Sequence, residues 1–135
     1  MNLVDSSVWI DYFNGKRTWQ TDLLDGLLDR EPVLIGDIIL TEVLQGFRSD
    51  SDYRKGYELL SGLPYMDMLG RDLAVQSAEN YRRLRKSGVT VRKTVDVMIA
   101  TFCVHHGFSF LHDDKDFDPM ETQLGLKTVK QSSVE

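Results

Sequence analysis

Short apolar runs alternate with longer amphipathic stretches along almost the whole chain, and this alternation constrains the fold more than any other feature. Each run is the length of a strand and ends at a polar or turn-forming residue, whereas the stretches between them have helical spacing. The runs that predict strands are residues 2–4 (NLV), 32–36 (PVLIG), 65–69 (YMDML) and 108–111 (FSFL), and residues 127–129 (KTV) are compatible with a last strand.

The intervening stretches predict helices with one apolar face each. They cover residues 8–13, 19–30, 37–48, 50–62, 72–86 and 94–107, with Thr94 as a candidate N-cap and Leu73, Ala74, Ser77, Tyr81 and Leu84 directed inward. Strands that alternate with helices form a mainly parallel sheet covered on both faces, and ligand sites in such sheets gather beyond the carboxyl ends of the strands. The predicted fold class is therefore α/β.

Composition limits the setting of this fold. A chain of 135 residues with 41% hydrophobic residues is sufficient for one domain, which we place at residues 1–130 with a polar tail at 131–135. The 16 Lys and Arg residues against 21 Asp and Glu give a net charge of −5, so any affinity for nucleic acid must be local. A single cysteine excludes an intrachain disulfide, and neither a secretory signal nor a membrane span is visible, so we expect a cytoplasmic protein without a membrane partner.

Several acids occupy positions that are unusual for surface residues. Asp5 follows the first predicted strand, and Asp113 and Asp114 directly follow the FSFL strand, so all three are delivered to the same edge of the sheet. Asp96 and Glu42 lie in predicted helices between apolar neighbours. Each acid alone is equally compatible with a structural role, because an aspartate in the first turn of a helix complements the macrodipole and a single helical glutamate is usually solvated.

Taken together, the acids favour a metal site. Carboxylates about 4 Å apart repel by roughly 1 kcal/mol in water and about 4 kcal/mol at an effective dielectric constant of 20, and a bound cation removes that repulsion. Oxygen donors without nearby His or Cys suit Mg²⁺ or Mn²⁺, which take part in phosphodiester chemistry. The sequence does not distinguish one ion from two.

Three other interpretations use the same acids. A calcium loop beginning at Asp114 fails, because Pro119 occupies the glycine position and Gly125 the position of the bidentate glutamate. A receiver-type phosphoacceptor domain shares the architecture, but it needs paired acids after the first strand, where DSS offers only Asp5. A non-catalytic module that binds RNA or a protein partner with this pocket remains an alternative.

A basic segment precedes one of the acids. No acid occurs between Asn80 and Val95, and the segment ends immediately before Asp96. Such a segment is most often a solvated helix face, but next to a metal-binding carboxylate it can hold the phosphate backbone of a nucleic acid. Its cations are Arg82, Arg83, Arg85, Lys86, Arg92 and Lys93, of which Arg82, Arg85, Arg92 and Lys93 are the predicted RNA-binding residues; His105, His106 and His112 are interpreted as structural or surface residues.

Four segments, in order, resemble the successive signatures of PIN-domain ribonucleases, most closely the VapC-type toxins of bacterial toxin-antitoxin pairs. The segments are MNLVDSSVWIDYF, LTEVLQGFR, YRRLRKSGVTVRKTVDVMIA and FLHDDKDF, and the likeness covers nearly the whole chain. The resemblance implies a three-layer α/β/α fold with a short sheet of four to five strands.

The resemblance also implies roles for individual residues. Asp5, Glu42, Asp96 and Asp114 would form the catalytic tetrad, with Asp5, Asp96 and Asp114 as ligands of Mg²⁺ or Mn²⁺ and with Ser7 and Asp116 in accessory roles. Because Asp113, Asp114 and Asp116 lie so close in sequence, which of them is the fourth acid stays open. The implied activity is that of an endoribonuclease toxin that cuts transfer RNA or ribosomal RNA, forms a homodimer and is inhibited by a cognate VapB-type antitoxin.

Overall fold

The computed structural model describes residues 1–131 and contains one five-stranded parallel sheet. The strand order is β3-β2-β1-β4-β5, and all neighbouring strands are parallel. The predicted α/β class and the three-layer arrangement are thereby confirmed. The strands are β1 (Asn2–Val4), β2 (Val33–Gly36), β3 (Tyr65–Met66), β4 (Ser109–Leu111) and β5 (Lys127–Thr128).

The helices cover both faces of this sheet. Helices α1 to α4 pack against one another, and α5, α6 and α7 form a second group. Right-handed crossovers place these two groups on opposite faces. None of the helices in residues 1–131 combines the length and apolar character needed to cross a membrane. The helices are α1 (Ser6–Phe13), α2 (Trp19–Arg30), α3 (Asp37–Gln45), α4 (Asp50–Ser61), α5 (Gly70–Lys86), α6 (Thr94–His106) and α7 (Asp118–Leu124).

The strand order reverses between β1 and β4 at the centre of the sheet. From β1 the chain proceeds outward to β2 and β3, and it then returns to place β4 on the other side of β1. Asn2 pairs with Ser109, and just beyond the strand the Asp5 N–H donates to the carbonyl of Leu111 at 2.9 Å. A crevice opens at such a reversal, beyond the carboxyl ends of the strands, and it is the usual ligand site of this fold class.

An aromatic cluster fixes α1 against α3 and α4 on one face of the sheet. The ring of the fully buried Trp9 stacks on Phe13 at 5.9 Å, and Phe13 meets the edge of Phe47 at 5.3 Å. Phe47 in turn packs on Gly56 of α4, where a Cβ atom would lie 2.5 Å from the ring. The cluster therefore sets the position of the two helices that follow β1 and β2.

The third strand is shorter than predicted. Only Tyr65 and Met66 pair with β2, and the predicted residues 67–69 leave the sheet. The reason is the side chain of Asp37, whose Oδ1 accepts from the Met68 N–H at 2.9 Å and turns the chain away. The Met68 side chain then fills the space above Gly36, where a Cβ atom would lie 2.3 Å from its sulfur.

Other helix assignments also need correction. Helix α6 starts at Thr94 as predicted, but its N-cap is Lys93 and not Thr94, and this N-cap makes no side-chain capping bond. Ala74 is exposed instead of buried, because α5 packs through the stripe that carries Leu73 and Leu84. Helix α3 ends at Gln45, so the predicted residues 46–48 are not part of it. Helix α7 was not predicted. Residues 132–135 of the predicted tail lie outside the described residues.

Gly56→Ala should destabilise the protein, although alanine is the better helix former. The gain in helix propensity is about 1 kcal/mol, but the added methyl group meets the Phe47 ring, so we expect a net loss of about 1 to 2 kcal/mol. Gly26→Ala in α2 is the matched control, because its Cβ meets only the mobile end of Arg30, and it should be neutral or stabilising. Urea unfolding of both variants measures the difference, and equal stability would contradict the packing described.

Candidate functional site

The four acids of the predicted tetrad converge at the carboxyl edge of the sheet. Asp5 is the N-cap of α1 directly after β1, Glu42 lies in α3, and Asp96 lies in the first turn of α6. Asp114 lies beyond the end of β4, where it caps a short 3₁₀ helix at residues 115–117. Burial raises the pKa of Asp96 to about 6, and the negative charges of Asp5, Asp114 and Glu42 contribute to the shift.

Asp5 is held at the floor of this site. Its side chain is 6% exposed, and burial raises the pKa of the carboxyl group above its ordinary value. The Ser7 hydroxyl donates to Asp5 Oδ2 at 2.7 Å and opposes that rise, because the hydrogen bond favours the ionised form. Ser7 therefore occupies the position expected of a supporting hydroxyl group.

Glu42 carries an oxygen atom that has no partner. Burial and, secondarily, the charge of Asp5 raise the pKa of its carboxyl group. Its Oε1 is inaccessible to solvent and makes no hydrogen bond among residues 1–131. A buried acceptor without a hydrogen bond destabilises the folded protein unless a ligand binds to it.

Asp96, Asp114 and Asp116 are packed most tightly. Each offers one carboxylate oxygen, and these three oxygens lie within 4.8 Å of one another. The Asp116 N–H donates to Asp114 Oδ1 at 2.9 Å, so the two acids belong to one turn. Asp116, predicted as an accessory acid, thus belongs to this group, whereas Asp113 is exposed and is not part of it.

His112 braces the turn that carries these acids. Its Nδ1 accepts from the Asp114 N–H at 3.1 Å, and its ring lies 5.5 Å from Phe110 and 5.1 Å from Phe117. Burial lowers the pKa of the imidazole, which keeps Nδ1 available as an acceptor. His112 is half-buried, and its contacts hold this turn in place.

The predicted RNA-binding cations divide into two groups. Arg92 and Lys93 border the acids: Arg92 Nε lies 4.0 Å from Asp116 Oδ1, and the charge of Lys93 lowers the pKa of both Glu42 and Asp96 against the effect of burial. Arg82 and Arg85 lie farther along α5, on the rim of an apolar groove. Side chains of both groups are exposed, so a basic surface leads from α5 to the acids.

This donor set fits a hard divalent cation. The converging ligands are carboxylate oxygens alone, and within the described part of the chain they form the only group of three such side chains with metal-ligand spacing. Burial raises the pKa values of Asp5 and Glu42, and Oε1 of Glu42 has no hydrogen-bond partner within residues 1–131, so the protein alone does not fully stabilise these acids in their ionised form. Mg²⁺ and Mn²⁺ prefer such oxygen ligands.

One residue at this edge was missed in the sequence. Gln20, in the first turn of α2, is 7% exposed and borders a cavity next to Asp114. It lies four residues before Leu24 and seven before Leu27, the buried leucines of α2, so the helical period accounts for its burial but not for its place beside Asp114. Only the packing of α2 against the chain after β4 reveals its location.

Comparison with protein families gives one match over most of the chain. The model of the PIN domain matches residues 3–121. Among curated proteins, VapC ribonuclease Mb1587 of Mycobacterium bovis is 32% identical over 134 residues, which cover 96% of this chain and 98% of the relative. Ribonuclease VapC11 of Mycobacterium tuberculosis matches with the same identity and coverage.

Solved structures with the same fold come from toxin-antitoxin systems. VapBC2 of Rickettsia felis, bound to a promoter DNA fragment, matches with a TM-score of 0.75 and 14% identity over 95% of this chain and 96% of that chain. A toxin-antitoxin complex from Klebsiella pneumoniae matches with a TM-score of 0.72 and 18% identity over 99% and 100% of the two chains. At these identities the likeness concerns the fold.

Asp96→Asn should stabilise the metal-free protein at neutral pH. Because the pKa of Asp96 rises from 3.8 to about 6 on folding, the unfolded chain releases this proton first, and the free energy of unfolding falls as the pH rises between these values. Asparagine does not titrate, so the variant does not lose stability in this way. Its free energy of unfolding should exceed that of the wild type by about 1 to 3 kcal/mol at pH 7 and by much less at pH 4. Urea unfolding in a chelator measures this gap, with Asp29→Asn as an exposed control; a gap independent of pH would contradict the shift.

Proposed function

This chain belongs to the PIN domain family, and from that premise we propose that it is a metal-dependent endoribonuclease of the VapC type, a toxin inhibited by a cognate antitoxin. The observation that carries the proposal is the convergence of Asp5, Glu42, Asp96 and Asp114 at the carboxyl edge of the sheet. Buried carboxylates without partners are unfavourable in a resting protein, and a catalytic cation gives them a role.

We propose Mg²⁺ or Mn²⁺ as the cofactor, with Asp5, Asp96 and Asp114 as its ligands. The contact between Asp114 and Asp116 brings Asp116 within reach of the same ion, directly or through water. Mg²⁺ typically retains several waters in protein sites, so this number of carboxylates is sufficient. When bound, such a cation lowers the pKa of an attacking water and neutralises charge on the phosphoryl oxygens.

The protein's own residues supply positioning and proton transfer. Glu42 has a carboxylate oxygen without a hydrogen-bond partner within residues 1–131, and the raised pKa of its carboxyl group suits acceptance of a proton from the attacking water. The Ser7 hydroxyl holds the Asp5 carboxylate in one orientation. Arg92 and Lys93 stand where they can hold the phosphate that is cut, and Arg92 can exchange its weak contact with Asp116 for that phosphate.

The RNA backbone would follow the basic surface from α5 to the acids. Arg82 and Arg85 would contact phosphates farther from the cut, and Arg92 and Lys93 those next to it. This local surface explains how a chain with a net charge of −5 can bind RNA. As substrate we propose transfer RNA or ribosomal RNA cut within a structured loop.

The proposal also covers the protein partners of this chain and its cellular compartment. The relatives from toxin-antitoxin complexes support a VapB-type antitoxin as the partner of this chain, and we propose that the toxin itself is a homodimer. The only cysteine, Cys103, is buried and free, which suits the reducing cytoplasm. A cytoplasmic location also gives the enzyme access to its RNA.

Asp114→Asn should abolish cleavage of total RNA, whereas Asp113→Asn should retain it. Asp114 belongs to the metal-binding group and the neighbouring Asp113 does not, so this pair identifies the fourth acid with a matched control. Removing a metal ligand or a general base typically lowers the rate by about 10²-fold or more. Gel assays with total bacterial RNA and Mg²⁺ or Mn²⁺ measure the rates, with Asp5→Asn and Asp96→Asn as further inactive variants.

Two results would overturn the proposal. Cleavage that persists in Asp5→Asn and Asp96→Asn at the level of the wild type would exclude a catalytic tetrad. Tight RNA binding without cleavage at any concentration of either metal would instead identify a non-catalytic binding module.

Replacing the basic residues should weaken RNA binding equally for all sequences. For Arg82→Gln and Arg92→Gln we expect the slope of log affinity against log salt concentration to fall by about 1 each, because each side chain contacts one phosphate. Arg54→Gln in α4 is the control, since its side chain is exposed outside the basic surface and its loss should leave the slope unchanged. Fluorescence anisotropy with an inactive Asp96→Asn background measures these slopes, and unchanged slopes for all three variants would exclude this surface.

A further inference from the structure

A second cavity adjoins the acids on the side of α2. Its volume is about 300 Å³, and it is open at the surface of the crevice. It shares Asp114 with the metal-binding group but reaches away from it, toward the first turn of α2. The residues that line it are Gln20, His112, Asp113, Asp114, Lys115 and Asp118.

Gln20 is the unusual member of this lining. The side chain is 7% exposed, yet its amide makes no hydrogen bond within residues 1–131 and is not among the fully inaccessible polar atoms. The amide therefore retains some exposure, and Gln20 borders the cavity, so a ligand in the cavity can reach its donor and acceptor. A buried amide in this state needs a ligand or water.

The first turn of α2 holds Gln20 in place. Thr18 and Thr21 form a reciprocal capping box, with the Thr21 N–H donating to Thr18 Oγ1 at 3.1 Å and the Thr18 N–H donating to Thr21 Oγ1 at 2.9 Å. The Thr21 hydroxyl also donates to the Lys16 carbonyl at 2.9 Å. Gln20 is thus presented from a rigid turn, as a specificity residue must be.

His112 presents a matching edge. Phe110 and Phe117 lie against its ring, and Nδ1 is occupied by the Asp114 N–H. With Nδ1 occupied, Nε2 is the ring nitrogen that remains for a ligand. The cavity then brings a side-chain amide, an imidazole and carboxylates together at one concave surface.

We propose that this cavity is a nucleobase subsite, in which Gln20 and His112 hydrogen-bond to the edge of an unpaired base next to the cut phosphate. The inference rests on the proposed ribonuclease function and adds a substrate preference to it. With Asp114 bound to the metal, Asp113 and Asp118 still outnumber Lys115, so the cavity favours amino groups over carbonyl groups, and adenine and cytosine fit it better than uracil. Bases in single-stranded loops are read by such hydrogen bonds to their edges.

Cytosine and uracil provide the sharpest test, because they differ at C4 by an amino group against a carbonyl group. We expect the wild type to cut RNAs with cytosine at one position flanking the cut roughly tenfold faster than RNAs with uracil there. Gln20→Met, nearly isosteric but without donor or acceptor, should reduce this ratio to below about threefold by slowing the cytosine substrate only. Gln76→Met, on the exposed face of α5, is the matched control and should keep the full ratio. Sequencing of cut ends from a randomised RNA pool measures all positions at once.

Binding without turnover separates the subsite from the activity. In Ca²⁺, anisotropy of labelled pentacytidylate and pentauridylate should show tighter binding of the former to the wild type and to Gln76→Met, and nearly equal binding to Gln20→Met. Cleavage and binding with no preference between the two bases, or a preference that Gln20→Met retains, would overturn the subsite alone. Discrimination in binding without any cleavage would overturn the ribonuclease function and leave the subsite in place.

Discussion

Repulsion among carboxylates that the fold forces together is the constraint on which the rest of this structure depends. Asp5 and Asp96 are both more than nine-tenths buried, and three more acids stand beside them. Such an arrangement lowers the stability of the folded state, and it persists because a rigid apolar scaffold surrounds it. The buried strands Leu3–Val4 and Phe110–Leu111 provide that scaffold directly beneath the acids.

Positive charge near the acids partly offsets the cost of burying them. Asp5 and Asp96 stand at the N-termini of α1 and α6, where the helix dipoles favour negative charge, and Lys93 adds a full positive charge close by. The helix dipole and the charge of Lys93 favour the ionised form of Asp96 by less than burial disfavours it, since the pKa of Asp96 remains raised. The site is therefore ordered before any cation arrives but not electrostatically satisfied, which is the state expected of a preorganised metal centre.

Much of this could be predicted from the sequence, and the failures have physical causes. The order of strands and helices and the acids after β1 and β4 follow from local periodicity, because residues that end a strand must stand at the edge of a parallel sheet. The length of β3 depended on a hydrogen bond from residue 68 to Asp37, which no local pattern contains. The turn held by His112 places Asp116 in the acidic group and leaves Asp113 exposed, and no local pattern predicts this turn. The place of Gln20 beside the crevice likewise depends on tertiary packing.

The pairing of β1 with β4 has a consequence for the stage of synthesis at which the site is completed. The strand that begins at Asn2 acquires this neighbour only when Ser109 to Leu111 have left the ribosome, and the turn with Asp114 and Asp116 follows later still. A nascent chain therefore carries Asp5, Glu42 and Asp96 before the segment that completes the acidic group exists. Because β4 and the turn after it complete this group, the site cannot bind a cation with all of its acids before that segment has folded.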